Sequence, residues 1–168
     1  ELMGNQPILF YPVGADSIWD AHLLKLRETV KGKVRTGIRA PYEIRDVREL
    51  LNEMRLIKDV HEQDIMRRAA KISCEAHRRT MRFVRPNQYE YEVEAELLHE
   101  FCRQGARHPA YTSIVAGGAN ACTLHYVGNN ARLHDGDLLL IDAGCELEGY
   151  ASDITRTFPV NGKFNAAQ

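Results

Sequence analysis

The sequence has no apolar run near the roughly 18 residues that cross a membrane, no C-x-x-C pair, no low-complexity tract and no internal repeat. It also leans to neither sign of charge: 22 Lys and Arg stand against 23 Asp and Glu, a formal net charge of −1. That balance leaves no basic footprint for nucleic acid and no polybasic membrane patch. The opening stretch ELMGNQPILFYPVG has no basic residues before its short apolar run and no small-residue cleavage site. It does not read as a signal peptide, and it looks cut from a longer chain. Four cysteines, Cys74, Cys102, Cys122 and Cys145, match no zinc spacing. Reduced thiols used as small hydrophobes are the expectation, which suits a cytoplasmic setting.

What is present is a moderate apolar content, 44% over 168 residues, enough for one ordinary domain or two small ones. PILFYPVG reads as a short strand closed by Pro12 and Gly14. Asp16 is placed to cap a helix over 17–31, which Gly32 ends. A strand-like start in VRTGIRAPYEIRDV breaks at Ala40-Pro41, and a short helix fits 48–55. A boundary falls near 56–59. Asp59 and Glu62 form a capping box. Ile65, Ala69, Ile72, Ala76 and Phe83 then recur at helical spacing up to Pro86. Asn87 and Glu90 repeat the capping pattern ahead of a second helix with Val93, Leu97 and Phe101 on its buried stripe.

From Tyr111 the period changes to two. YTSIVA and CTLHYV read as strands around the turn signal GGAN, and 138–160 reads as a hairpin turning in ELEG. Helices segregated ahead of antiparallel strands argue for an α+β fold in the second part.

That hairpin carries Asp142 and Asp153, eleven positions apart. With Leu147 and Glu148 as central turn residues, the two aspartates face each other, with Cβ atoms about 4.5–5.5 Å apart. A bulge at Gly149 makes the pair diagonal and still within reach of a shared ion. Two ionised carboxylates about 5 Å apart repel by roughly 3 kcal/mol at an effective dielectric of about 20. A shared proton, a basic neighbour or a divalent cation relieves that repulsion. Arg156 falls on the opposite strand face, while Thr155 shares the aspartates' face. Two readings stay open on pattern alone: an exposed polar face of an edge hairpin, or part of a metal site with hard oxygen donors. His125, between Leu124 and Tyr126, is the other polar residue within a strand pattern, where a lone histidine is ordinarily structural.

Two runs, YTSIVAGGANACTLHYVGN and DGDLLLIDAGCELEGYASDITRTFPVNGKF, resemble the catalytic domain of the Xaa-Pro aminopeptidase (aminopeptidase P) family of pita-bread metallopeptidases. EMRLIKDVHEQDIMRRAAKI is similar to the family's passage into that domain. The resemblance implies residues 1–57 as the end of a creatinase-like N-terminal domain with an α/β character. It implies residues 58–168 as the first half of a pita-bread domain. Asp142 and Asp153 would be two of five ligands to two divalent ions, usually manganese. His125 would lie beside the metals and hydrogen-bond substrate, with Tyr111 and Thr155 supporting the carboxylates. Peptides with proline in second position would be the substrates, and a homo-oligomer the full-length state. The family supplies one further histidine and two glutamates, yet nothing after Asp153 here is a histidine or a glutamate. The chain is therefore expected to be an incomplete portion that holds half a metal site. A prolidase restricted to dipeptides, or a metal-free pita-bread module that binds peptides, are the rival readings.

Overall fold

The computed structural model describes residues 2–168 and divides the chain into two compact units, Glu1–Lys58 and Asp59–Gln168. The first is a β–α–β unit. Strand β1 (Ile8–Phe10) leads into helix α1 (Ser17–Lys31), and β2 (Glu43–Arg45) pairs parallel to β1 before helix α2 (Val47–Leu56). Asp16 caps α1 as its sequence position suggested, accepting from Ile18 N at 2.9 Å and Trp19 N at 3.1 Å. The strand expected before Ala40-Pro41 is instead a 3₁₀ turn at Val34–Thr36, and the strand follows the proline. Pro41 has no N–H to give a ladder and disfavours helix before it, so pairing starts beyond it.

The second unit is α+β. Helix α3 (Val60–Phe83) opens on the Asp59–Glu62 capping box: Asp59 N donates to Glu62 Oε2 at 2.7 Å, and Glu62 N to Asp59 Oδ1 at 2.9 Å. Helix α4 (Glu90–Arg103) starts later than the Asn87–Glu90 pattern implied, with Tyr89 N donating to Glu92 Oε2 at 2.6 Å. Asn87 instead takes a left-handed turn, φ 77°. Six strands follow, all antiparallel: β3 (His108–Pro109), β4 (Ile114–Gly117), β5 (Leu138–Ala143), β6 (Cys145–Leu147), β7 (Tyr150–Ala151) and β8 (Ile154–Pro159). They form two three-stranded sheets, ordered β3-β6-β7 and β4-β5-β8.

The helices cover one face of β5. Leu139, Ile141 and Ala143 are fully buried against the stripe of α3 and α4 that includes Ala69, Leu97 and Phe101. Each large aliphatic or aromatic side chain buried this way contributes about 1.5–3 kcal/mol. The alternate residues of β5, Leu138, Leu140 and Asp142, are only half-buried and look out of the opposite face. Of the cysteines, Cys145 alone serves the core; Cys74, Cys102 and Cys122 are exposed free thiols. Among the described residues no helix is long and apolar enough to cross a membrane.

CTLHYV is not a strand. After β4 the chain forms a 3₁₀ turn, Gly118–Cys122, and an irregular loop with left-handed residues at His125 (φ 55°) and Asn129 (φ 43°). The edge that a further strand would have paired is filled by an amide side chain. Asn129 Oδ1 accepts from Val115 N at 3.0 Å, and its Nδ2 donates to Ser113 O at 2.8 Å. Backbone groups so satisfied have no need of a ladder.

Candidate metal centre

The hairpin turn falls one residue later than ELEG suggested. Leu147 pairs with Tyr150, so Glu148 and Gly149 are the central residues, with φ 51° and 85°. A two-residue turn of this hand needs positive φ at both positions, which Gly149 accepts freely and a leucine at the first position would not. The register moves by two. Asp142 faces Thr155, not Asp153. Because side chains alternate with a period of two, that shift leaves Asp153 on Asp142's face as its diagonal neighbour.

Tyr111, from the loop after β3, joins them. Its hydroxyl lies 2.5 Å from Asp142 Oδ1 and 2.9 Å from Asp153 Oδ1. The two oxygens are thus no further apart than the sum of these distances, about 5.4 Å. Ala110 N donates to Gly144 O at 2.9 Å and ties Tyr111's segment to the hairpin. Burial pushes the Tyr111 phenol up, and its bonds to Asp142 and then Asp153 push it further. It therefore stays protonated and donates. One hydroxyl has one proton, so it satisfies one carboxylate fully and leaves the other facing lone pairs. No ion pair among the described residues reaches either aspartate. Two hard oxygen donors converging without a cation fit a divalent ion, as part of its shell only. No group of three or more His, Cys, Asp or Glu with metal spacing occurs among the described residues.

The aspartates and Tyr111 line an open cavity of about 420 Å³, with Ile114 from β4 and His125 and Val127 from the loop. An adjoining cavity of about 200 Å³ shares His125 and Asp142 and is also lined by Leu140 and Thr155. The structure thus gathers all five residues singled out in the sequence, Tyr111, His125, Asp142, Asp153 and Thr155, around two neighbouring cavities. His125 reaches them from a loop, not from a strand.

Three supports under this site were not read from the sequence. A side chain at Gly144 has no room, because its Cβ would lie 1.7 Å from Ser152 O. The strands meet there backbone to backbone, two residues from Asp142 and one from Asp153. Beneath them, Ser73 on α3 and Ser152 share a buried hydroxyl contact of 2.7 Å, and both accept from Cys145 N at 3.0 Å. His77, also on α3 and buried, has Nε2 3.2 Å from Ala143 O, next to Asp142. Burial lowers its pKa, and its Nδ1 has no partner among the described residues. The only sequence signal for Ser73 and His77 was their position on the buried stripe of α3.

The Metallopeptidase family M24 model matches residues 64–168. The chain is 48% identical to Xaa-Pro aminopeptidase of Escherichia coli K12 over its whole length and spans 38% of that protein. Among solved structures it resembles proline aminopeptidase P II from Yersinia pestis, with a TM-score of 0.94 and 49% identity. It also resembles a zinc-substituted E. coli aminopeptidase P in complex with product, with a TM-score of 0.95 and 45% identity. Both alignments cover 99% of this chain and 38% of the other. With its paired aspartates and this match over most of its length, the chain belongs to metallopeptidase family M24.

Proposed function

We propose that the protein carrying this chain is a metal-dependent Xaa-Pro aminopeptidase, a hydrolase that cleaves between an N-terminal residue and a following proline. The observation that supports this most is the convergence of Asp142 and Asp153 on one hydroxyl at the wall of an open cavity, in a chain akin to enzymes of that name. The two carboxylates would hold two divalent ions; hard oxygen donors suit manganese, magnesium or calcium alike, and the family resemblance is what favours manganese. When bound, such ions polarise a carbonyl and bring the pKa of water toward neutrality.

This chain's residues do the remaining work. Tyr111 keeps its proton and fixes the orientation of both carboxylates. Thr155, directly across from Asp142, supports the same face. His125 donates a hydrogen bond to the scissile carbonyl oxygen as charge develops there, a contribution of about 10²–10³ in rate for donors of this kind. Ile114 and Val127 give that cavity an apolar wall. Two carboxylates leave each ion's shell incomplete, so residues 1–168 alone hold metal weakly and are inactive. We assign residues 1–57 to the end of a creatinase-like N-terminal domain and 58–168 to the first half of the pita-bread domain. The full-length protein is read as cytoplasmic and homo-oligomeric.

The test is turnover by the full-length gene product, loaded with manganese, on three peptides. A tripeptide with proline second should be cleaved, the same tripeptide with alanine second should not, and a Xaa-Pro dipeptide should be poor. Cleavage of the dipeptide alone would make the protein a prolidase, and cleavage of none would favour a binding module.

A further inference from the structure

Glu90, the first residue of α4, is completely buried. No ion pair reaches it among the described residues. Its carboxylate is held instead by four donors. Oε1 accepts from Gly117 N at 2.8 Å and Asn120 Nδ2 at 3.0 Å. Oε2 accepts from Tyr126 Oη at 2.7 Å and Ala131 N at 2.9 Å. That is the partner set an acceptor-only carboxylate needs, two hydrogens on each oxygen. Burying a charged group without a counter-ion is expensive, and an apolar side chain would fill the space without that penalty.

All four donors belong to one loop, Gly117–Ala131. Glu90 grips it where it leaves β4, where it ends, and at two points between. Gly117 is packed under Leu133: a Cβ there would lie 2.6 Å from Leu133 Cδ2, while Glu90 Oε1 at 3.6 Å would be in ordinary contact. The loop has no strand partner to hold its shape, and it carries His125 directly beside the anchored Tyr126. His125 sits in the left-handed region, φ 55°, which a non-glycine residue adopts only when its surroundings impose it. The Glu90 carboxylate therefore links the helix core to the loop's histidine, alongside Glu90 N donating to Ala131 O at 3.0 Å and the Asn129 bonds to β4.

We infer that Glu90 is a positioning residue, which pins the Gly117–Ala131 loop so that His125 is held over the cavity beside Asp142 and Asp153. This rests on the reading in which His125 donates to the substrate carbonyl. Glu90 touches neither substrate nor aspartates. Removing one anchor should therefore alter the placement of His125 and leave metal binding as it was. A misplacement of about 1 Å costs on the order of 10²-fold in rate.

The experiment uses the full-length gene product loaded with manganese. kcat and KM on a tripeptide with proline second, and bound metal, are measured for wild type, Glu90→Gln, Tyr126→Phe, His125→Ala and the double variant Glu90→Gln/His125→Ala. Glutamine keeps the shape, but its NH2 must face a backbone N–H at Gly117 or Ala131 whichever way it turns, so an anchor is lost. Glu90→Gln is expected to lower kcat at least about 10-fold, with KM and bound metal within about 2-fold of wild type. The double variant should be no slower than His125→Ala alone, because a histidine already absent has no position to lose. Tyr126→Phe removes one donor and should show the same pattern at about 3-fold or more, so the question stays decidable if Glu90→Gln does not fold. Wild-type kcat in whichever variant folds, losses that multiply in the double variant, or metal lost in step with kcat would each overturn the inference. Wild-type turnover by His125→Ala would instead remove the reading of His125 itself, and the role of Glu90 with it.

Discussion

Substituting Gly144 by alanine tests how the two aspartates are brought together. The added Cβ would lie 1.7 Å from Ser152 O, 2.4 Å from Ser152 C and 2.9 Å from Asp153 N. All three obstacles are backbone, so no rotamer change relieves them. Gly144 is not among the residues with positive φ, so the cost is contact and not torsion. To reach even 3.0 Å the strands must part by more than about 1 Å. Overpacking of this kind costs about 1–3 kcal/mol. Parting also strains the bonds that meet there: Ala110 N to Gly144 O and Ser152 N to Cys145 O, both 2.9 Å, and Cys145 N to the two serine hydroxyls at 3.0 Å. One buried donor left unsatisfied adds about 1–3 kcal/mol. The expected loss is about 4 kcal/mol, a large share of the 5–15 kcal/mol typical of a domain. Urea unfolding of the 168-residue chain, with wild type alongside, measures it. Ala110 and Asp153 flank the clash, so Tyr111 should also lose its simultaneous contact with both carboxylates. A loss below about 1 kcal/mol would refute the account, since strands able to part so easily could not fix the geometry of the pair.

Four further outcomes are expected. Asp142→Asn or Asp153→Asn in the full-length protein should abolish metal-dependent peptidase activity; turnover at the wild-type rate in either would remove these residues from the site. His125→Ala should lower kcat about 10²–10³-fold with metal content unchanged, and parallel loss of metal by elemental analysis would make it a ligand. The isolated 168 residues should bind manganese more weakly than about 1 μM by calorimetry, because two carboxylates supply too few of the six or so donors such an ion takes; submicromolar binding would contradict that. His77 has a folded-state pKa below its ordinary 6.5 because burial disfavours the charged ring. The unfolded chain then takes up its proton at higher pH, so stability is full above about 6.5 and falls as pH drops toward the folded value, by at most about 1.4 kcal/mol per pH unit. Urea unfolding between pH 8 and 5 should show a shallower acid limb for His77→Gln, and identical limbs would exclude His77 as its source.

The helices were legible because their signals are local. Asp16, Asp59 with Glu62, and Pro86 mark ends within three or four residues of the groups they satisfy, and the apolar spacing of α3 and α4 names their buried faces. The aspartate pair was legible for another reason. The register was read two residues off, yet a shift of two preserves strand faces, so Asp142 and Asp153 stayed on one side. The LHY, IDAGCE and SDITRTFPVNG segments were specific enough to name the family.

What the sequence by itself determined, then, is the order of the helices, the family and the side of the hairpin on which the acids stand. Tertiary structure alone decided that CTLHYV would be a loop, that Glu90 would vanish into the core to hold it, and that Gly144 would mark the closest approach of two strands. Those outcomes depend on partners 8 to 41 residues away in the chain, such as Glu90 with Ala131 and Gly144 with Ser152. Local propensity favours a strand for a β-branched, aromatic stretch. It is overruled here because the edge of β4 that such a strand would pair with is already taken: Asn129's amide holds Val115 N and Ser113 O, and the distant Glu90 carboxylate holds Gly117 N.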